Sequence, residues 1–413
     1  MVNSTNSGFN SKRPWPEPPL APRCGDSHRV GSDSAMAHSP SLSTRLVRSA
    51  VTYRLLEPHD LHPPLAPWLA AQASHPAFGG VLMPTEDDFR VQRVVTRDTA
   101  RLFRALAKPQ RPPRAIPSRA LRALVLDGVL EIREGRRYVS GASARRYCLS
   151  VREAPEPGTT IGMLSLAALR TSAALELPSS GVLARLLYSF NTLPATPDWR
   201  RRYPAAMSLD SVLRRSIPGS AGLGAPETAG DGAWLSWDRA APSRSEDRVW
   251  KLYLSPMPEH LLPALEAAAQ QREAFSMKVG RDLANILRAD KLVLYFATRA
   301  RMERAAGRLG RELAGIPAQG VPFTRQVGDS ALLSWGVDPD GQDAAAPWSG
   351  DSSWRAWLTH RLATALVQAF RDPGCSVPAW RYAMDRVSLD GVDVRDWTPE
   401  RRSKTPRRRH GHH

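Results

Sequence analysis

Three short apolar runs define the centre of the chain. The runs Trp250–Leu254, Ala274–Val279 and Leu292–Phe296 are rich in β-branched and aromatic residues, which favours strands. Between the first two runs, leucine and alanine recur at near-helical spacing over Glu259–Arg272, which predicts a helix. Strands and a helix joined by links this short predict one compact α/β unit.

Amphipathic segments flank this unit on both sides. Helices are predicted over Gly162–Leu175 and Gly181–Phe190 before it, and over Thr298–Leu313 and Ser353–Phe370 after it. The segment Ala221–Gly232 is rich in glycine, alanine and proline, which predicts a loop.

The N-terminal third carries a different order of elements. Phe89–Val95 alternates like a strand, and Thr96 is a suitable N-cap for a helix through Ala107. A second helix, Arg119–Leu126, is followed by a hairpin of Val129–Arg133 and Arg137–Ser140. Helix, helix and hairpin in this order are typical of the end of a winged-helix domain.

This predicted winged-helix unit has three interpretations. Arg114, Arg119 and Arg122 lie on or before its last helix and would suit DNA binding. A strand edge or a helix groove of such a unit would also hold a peptide. The third interpretation is plain packing with a solvated arginine face. We favour peptide binding, because of the chemistry predicted for the rest of the chain.

Charge and cysteine content restrict the class of protein. The formal net charge of the 413-residue chain is +17, which points to an anionic partner. Cys24, Cys148 and Cys375 are far apart and outside any CxxC pattern, which argues against a zinc site or a disulfide framework and fits a reducing cytosol. The sequence has no apolar run long enough for a membrane span and no signal-peptide core, so we expect a cytoplasmic protein without membrane contact.

Lysine usage draws attention to the central unit. Six of the 57 basic residues are lysines, and half of these six are Lys251, Lys278 and Lys291. Lysine, unlike arginine, can lose its proton when it is desolvated or crowded by cations. The count fits a lysine that acts in its neutral form, and it fits three ordinary surface lysines equally well.

The spacing of these residues places them at strand ends. Lys251 and Tyr253 are two apart and face the same side of a strand. Lys278 ends a strand just before Gly280, where a turn is expected, and Arg288, Asp290 and Lys291 precede the most apolar strand. Such a group would surround an anion, or it would simply solvate the strand ends.

Four stretches of this region resemble a known family. WKLYLSP, AFSMKVGRD, ILRADKLVLYF and VPFTRQVGDSALLSW are similar to the Hop-type effectors, which are related to the phosphothreonine lyases and to the lyase modules of class III and class V lanthipeptide biosynthesis. The resemblance extends from about Leu187 to Arg371. It implies elimination of phosphate from phosphoserine or phosphothreonine without a metal or other cofactor.

The resemblance also implies catalytic roles. Lys278 matches the base of the lyases, and its pKa must fall by roughly three units from about 10.4 for work at neutral pH. Lys251 joins the catalytic set. The lyases have Lys-x-His with histidine as the acid, whereas this chain has Lys251-Leu252-Tyr253, so the phenol of Tyr253 is the candidate acid. Asp290 is expected to orient Lys291 or Arg288.

Several cations are candidates for binding the phosphate. Arg288 and Arg325 lie in the matching stretches, and Lys291 is a further candidate. In the family an arginine of the final helix helps hold the phosphate. Here the position of a gap in the alignment decides whether Arg355 or Arg361 corresponds to it.

The resulting expectation is an α+β fold with a C-terminal phosphothreonine-lyase-like domain behind a small winged-helix-like domain. The predicted divisions are a disordered segment 1–45, a winged-helix-like and leader-peptide-binding domain 46–149, a helical and irregular lead-in 150–245, a lyase-like core 246–385, and a basic tail 386–413.

The sequence contains no kinase motif, so another protein would have to install the phosphate. We therefore predict a lyase that forms dehydroalanine or dehydrobutyrine in a precursor peptide, in class V lanthipeptide-like or thioamide-peptide biosynthesis. Its expected partners are the phosphorylated precursor peptide, a separate kinase-like protein and a cyclase. The alternatives are a secreted effector that acts on host phosphoproteins, a phosphopeptide-binding protein without turnover and, more remotely, a DNA-binding regulator.

Overall fold

A computed structural model describes most of the chain after residue 41. The described ranges are 42–61, 67–85, 92–114, 116, 118–149, 156–203, 206–217, 222–229, 232–239, 248–339 and 353–400. The predicted disordered segment, apart from its last residues, and the last 13 residues of the predicted tail lie outside these ranges, as does the start of the predicted strand Phe89–Val95.

Helices dominate both ends of the described chain. The α-helices are α1 (Pro67–Ala73), α2 (Arg97–Ala105), α3 (Ser118–Leu126), α4 (Arg145–Cys148), α5 (Thr160–Ala174), α6 (Ser180–Ser189), α7 (Pro197–Arg202), α8 (Ala206–Arg215), α9 (Leu261–Ala269), α10 (Leu283–Ile286), α11 (Arg299–Glu312), α12 (Trp354–Arg371) and α13 (Ala379–Ser388). Short 3₁₀ helices span Leu42–Thr44, Pro58–Asp60, Gly141–Ala144 and Pro258–His260.

The strands are short. They are β1 (Val47–Ser49), β2 (Tyr53–Leu56), β3 (Phe78–Pro84), β4 (Arg93–Thr96), β5 (Leu130–Glu134), β6 (Arg137–Val139), β7 (Glu227–Ala229), β8 (Trp234–Asp238), β9 (Trp250–Leu254), β10 (Ser276–Gly280), β11 (Leu292–Phe296), β12 (Arg325–Gln326), β13 (Leu333–Val337), β14 (Val392–Asp393) and β15 (Thr398–Pro399).

One seven-stranded sheet organises the C-terminal half. Its order is β12-β13-β9-β11-β10-β8-β7, and every strand pairs antiparallel with its neighbours. The three central strands that the sequence predicts are therefore confirmed, as is the expected α+β class. The predicted loop Ala221–Gly232 is partly wrong, because Glu227–Ala229 forms the edge strand β7.

The two faces of this sheet differ in character. One face, called the apolar face here, carries Leu252, Leu294 and Met277 and packs against α8, α9 and α11 in a single hydrophobic cluster. The other face, called the polar face, carries Lys251, Tyr253 and Lys278, because alternate residues of a strand point to opposite sides. A sheet that is apolar on one side only leaves the other side available for chemistry.

Helix α12 covers one end of the polar face. Gly336 in β13 is in register with Lys251, and a Cβ atom there would lie 3.1 Å from the Trp354 side chain. Glycine thus lets the first turn of α12 approach the sheet. Helices α6 and α13 pack against α12.

The N-terminal elements share a core with the C-terminal helices. Residues of β1, α2, α3 and β5 belong to the same hydrophobic cluster as residues of α5, α6, α12 and α13. Helix α3 and the hairpin β5–β6 are present as predicted, and β1 completes a three-stranded sheet in the order β1-β5-β6. The domain boundary at residue 149 and the winged-helix interpretation remain predictions.

Ion pairs also join these regions. Arg386 of α13 donates two hydrogen bonds of 2.7 Å to Asp127, which follows α3. Arg119, one of the candidate DNA-binding residues, donates to the carbonyl of Leu389 at 2.9 Å and to Glu400 at 2.7 Å. Residues 386–400 are therefore packed structure, and the predicted start of the tail at 386 falls inside α13.

Among the described residues, no helix combines the length and the hydropathy that a membrane span requires.

Candidate active site

Two rows of residues cross the polar face from strand to strand. The first row contains Ser236, Lys278, Val293, Tyr253 and Ser334 in register. In the second row, Asp238, Ser276, Tyr295, Lys251 and Gly336 face one another. Ser236 and Ser276 are small and leave room above the sheet on the side away from α12, and the long side chains of the two rows can converge there.

Lys278 stands beside aromatic rings. Its Nζ atom lies 4.3 Å from the centre of the Trp234 ring and 5.7 Å from that of Tyr295. Burial, and then the cations Lys251 and Arg288, lower the pKa of Lys278 to about 8, while Asp290 and Asp338 act in the opposite direction. The neutral form of Lys278 is therefore reached at a lower pH than for an exposed lysine.

The turn after Lys278 depends on a glycine. A Cβ atom on Gly280 would lie 2.6 to 2.9 Å from atoms of Asn285, at the end of the turn that follows Asp282. Asp282 caps α10 by accepting from the Asn285 N–H at 2.9 Å. The backbone folds back after Gly280, but β10 continues through Gly280, so Lys278 lies in the middle of the strand and not at its end as the sequence predicts.

Lys251 is paired with an acid. Its Nζ atom lies 2.6 Å from Asp338 and 5.4 Å from the centre of the Tyr295 ring. Asp338 follows β13 and also accepts a hydrogen bond from the Trp354 N–H, at 3.0 Å, at the start of α12. Sequence analysis missed Asp338, because it lies 87 positions from its partner and no spacing rule connects them.

Asp290 binds two arginines. Arg288 donates to both of its oxygens, at 2.9 and 3.0 Å, and the buried Arg355 donates at 2.7 Å. The Tyr188 hydroxyl donates to it at 3.1 Å. Burial alone would raise the pKa of Asp290, but Arg355 and Arg288 outweigh it and lower the pKa to about 2.

This cluster assigns different environments to the two arginines. Arg355 is 1% exposed, and its other nitrogens donate to the carbonyls of Pro322 and Tyr188. Arg288 is only partly buried, and its guanidinium lies 5.1 Å from the Trp234 ring that Lys278 also contacts. Arg288 thus lies beside Lys278, whereas Arg355 is buried and bound to other groups of the protein. The orienting role predicted for Asp290 falls on Arg288.

Tyr253 lies in the same row as Lys278, two strands away. Neighbouring strands are about 4.8 Å apart, so the two backbones are separated by about 10 Å with Val293 between them. Burial raises the pKa of Tyr253 well above its usual value, so the phenol keeps its proton at neutral pH. Val293 between them is buried, in one small hydrophobic cluster with Tyr253, Ala289 and Val321.

Lys291 is enclosed at the end of the sheet. It is fully buried, and its amine donates to the Pro256 carbonyl at 2.8 Å and to the side-chain oxygen of Gln319. Burial lowers its pKa to about 7. These contacts use the amine to tie loops together, so the structure does not bring it to the group around Lys278.

Two further candidate arginines also lie elsewhere. Arg325 is in register with Trp335, which belongs to the apolar face, and it pairs with Asp396 at 3.2 Å. Arg361 lies six residues after Arg355 on α12, hence on another side of the helix, and pairs with Asp390 at 3.6 Å. The structure therefore brings together Lys278, Lys251, Tyr253 and Arg288 and leaves Arg325 and Arg361 apart.

A cleft of about 520 Å³ opens on the part of the polar face that α12 does not cover. Its walls are formed by Ala229, Ser236, Asp238, Arg239, Phe275, Ser276, Lys278 and Tyr295. The residues that sequence analysis missed here come from β7 and β8, which it did not predict. The available signal for β8 was that Trp234, Ser236 and Asp238 alternate with the apolar residues Leu235 and Trp237.

Within the described ranges, no three histidine, cysteine, aspartate or glutamate side chains are placed so that they could hold a metal ion.

Comparison with protein-family models and with curated proteins finds no match for this sequence. Solved structures do show similarity. An effector protein from Pseudomonas syringae pv. tomato strain DC3000 is 13% identical, over 59% of this chain and 100% of its own, with a TM-score of 0.41. The phosphothreonine lyase SpvC, an effector from Salmonella, is 16% identical over 41% of this chain and 89% of its own, with a TM-score of 0.25.

The type III effector and phosphothreonine lyase OspF from Shigella flexneri is also similar. It is 11% identical over 40% of this chain and 90% of its own, with a TM-score of 0.25. Identities and TM-scores this low describe a structural similarity and do not establish a family or a function.

Proposed function

We propose that this chain is a lyase that removes phosphate from phosphothreonine or phosphoserine in a peptide by β-elimination. The observation that carries the proposal is the environment of Lys278. A half-buried amine of lowered pKa faces an open cleft, and Lys251 and Arg288 stand on the same side of the sheet. The motif resemblance of the same residues to the phosphothreonine lyases supports it.

The proposed reaction needs a base and positive charge. Neutral Lys278 removes the α-proton, the Cα–Cβ double bond forms, and the Cβ–O bond breaks to release inorganic phosphate. The products are dehydrobutyrine from phosphothreonine and dehydroalanine from phosphoserine. Arg288 and Lys251 balance the charge of the phosphate, which is about −1.5 to −2 at pH 7.

Tyr253 is the proposed proton donor to the leaving oxygen. Its phenol retains its proton at neutral pH because burial raises the pKa. The donation is favourable because the phosphate leaves with more negative charge than it had as an ester. If the cations neutralise this charge alone, Tyr253→Phe will retain most of the elimination rate.

We further propose a biosynthetic context. The substrate is a precursor peptide phosphorylated by a separate kinase-like protein, and a cyclase uses the dehydroamino acid, as in class V lanthipeptide or thioamide-peptide pathways. The described N-terminal sheets would hold the leader of the peptide. A precursor-peptide gene and a kinase-like gene beside this one would support this context, and a secretion locus would favour the alternative of an effector acting on host phosphoproteins.

The direct test is mass spectrometry of a synthetic phosphothreonine peptide incubated with the full chain. Elimination gives a dehydrobutyrine residue, whereas hydrolysis gives threonine, so the product mass separates a lyase from a phosphatase. We expect the dehydrobutyrine product and free phosphate in equal amounts. Tight binding of the peptide with no product would instead favour a phosphopeptide-binding protein.

A further inference from the structure

The cleft beside Lys278 changes its charge from one end to the other. Its inner end holds Lys278, with Lys251 and Arg288 nearby. Its outer end holds Asp238, at the end of β8, and the exposed Glu227 faces the same side from the edge strand β7. No ion pair joins Asp238 to another residue of the described ranges. An acidic rim beside a cationic centre would favour a ligand that carries both charges.

The separation of the two ends matches the repeat of an extended peptide. Asp238 is opposite Ser276, two residues before Lys278, so it is a diagonal neighbour of Lys278 on the adjacent strand. Diagonal neighbours of this kind are about 7 to 8 Å apart. In an extended peptide, side chains two positions apart are on the same side and about 7 Å from each other.

The floor of the cleft suits a long basic side chain. Phe275 and Tyr295 line it, with their ring centres 6.4 Å apart. Aromatic rings accept the methylene stem of lysine or arginine and attract its charge, while an acid at the rim holds the head group. Arg239, also in the wall, directs its guanidinium to the carbonyl of Ala269 at 2.7 Å, at the end of α9.

We propose that this cleft is a subsite for a lysine or arginine two positions from the phosphorylated residue, in an extended peptide that lies across the polar face. This inference rests on the proposed function for the position of the phosphorylated residue. The substrate class is then a phosphopeptide with a nearby basic residue. Position ±2 is favoured over ±1, because a side chain at ±1 points away from the sheet.

The experiment compares phosphothreonine peptides that differ only in the position of one arginine. The full chain is given peptides with arginine at −2, −1, +1 or +2 in an alanine and glycine background, and both binding anisotropy and elimination are measured. We expect arginine at −2 or +2 to increase affinity and kcat/KM about two- to fivefold over alanine, as for an exposed ion pair. Glutamate at the same position should decrease them.

Charge changes at Asp238 identify the subsite. Asp238→Asn should abolish the preference for arginine, and Asp238→Arg should reverse it in favour of glutamate, each preference being the ratio to the alanine peptide with the same variant. The matched control is Asp329→Asn, on an exposed loop between β12 and β13, which should retain the preference. Equal preference in wild type and Asp238→Asn, or none in the wild type, would overturn the subsite. Absence of elimination alone would count against the proposed function, because anisotropy still reports the preference.

Discussion

The environment of Lys278 combines two opposing requirements. A base must be neutral, which burial and the cations Lys251 and Arg288 favour, but a phosphate bound nearby stabilises its charged form. Asp290 and Asp338 limit the lowering of its pKa in the free protein. The pKa of Lys278 is therefore close to neutral pH, and a phosphate bound nearby would raise it.

The first prediction concerns pH. The pKa of Lys278 is about 8, below its ordinary value, so the working neutral form increases as pH rises. We expect kcat to rise close to tenfold per pH unit below pH 8 and to level off above it, with the midpoint displaced upward if bound phosphate raises the pKa. The measurement is the rate of dehydrobutyrine formation at saturating peptide from pH 6 to pH 10. A rate that is constant or falls over this range would contradict a lysine base.

The second prediction separates Arg355 from Arg361. Arg355→Met removes a buried partner of Asp290 and should lower the free energy of unfolding by about 3 to 5 kcal/mol. Arg361→Met removes one longer, partly exposed pair and should cost less than about 1 kcal/mol. Urea unfolding of both variants measures the difference. If Arg355→Met keeps its stability and loses only phosphopeptide affinity, Arg355 is a phosphate ligand.

At the level of elements, the junction of β13 with α12 links the sheet to the helix that covers it. Asp338 pairs with Lys251 on one side and with the first N–H of α12 on the other. It is a counter-ion for Lys251, a role that a bound phosphate would take over. Its effect on chemistry is therefore indirect, through Lys251 and Lys278.

The third prediction follows from this link. Asp338→Asn removes the charge but keeps an oxygen that can accept from the Trp354 N–H. Because Asp338 raises the pKa of Lys278, the variant should shift the rise of kcat to lower pH, and inorganic phosphate should inhibit it more strongly. Asp329→Asn is the control. A shift to higher pH, or none, would show that Asp338 does not act on Lys278.

The sequence predicts the local features of the site better than the contacts between its separate elements. Alternation in Trp250–Leu254 correctly places Lys251 and Tyr253 on one face, and Gly280 correctly marks the turn after Lys278. Both depend on neighbours in sequence. Asp338, Trp234 and Tyr188 come from other elements, so their contacts depend on strand order and helix packing, which no local pattern encodes.

Residue type alone did not show where some of the candidate cations lie. Arg325 and Lys291 are basic and lie in the matching stretches, yet the register of β12 turns the first to the apolar face and burial encloses the second. Periodicity does separate Arg355 from Arg361, since six residues along a helix change the side. It does not say which side meets the sheet.

For the whole molecule, the shared core predicts one cooperative unit. The hydrophobic cluster that contains β5 also contains α13, and Asp127 and Arg386 fasten α3 to α13. We expect the segments Leu130–Glu134 and Ala379–Ser388 to lose hydrogen-exchange protection at the same urea concentration, in exchange experiments read by mass spectrometry. Earlier loss in Leu130–Glu134, with α13 still protected, would instead support an independent domain that ends near residue 149.

The net charge of +17 describes the whole molecule and cannot locate a site. Many of the 57 basic residues pair with acids inside the protein, as Arg386 does with Asp127 and Arg355 with Asp290, and such pairs add nothing to the net charge. Few cations lie beside the cleft, so the proposed function depends mainly on Lys278 at its inner end.

The most direct test of that function is the variant Lys278→Arg. Arginine keeps the positive charge and nearly the length of lysine but stays protonated at any usable pH. The variant should therefore bind the phosphothreonine peptide with an affinity close to that of the wild type, by anisotropy, and form no detectable dehydrobutyrine, by mass spectrometry, between pH 6 and pH 10. Elimination by Lys278→Arg at a rate near that of the wild type would contradict the assignment of Lys278 as the base.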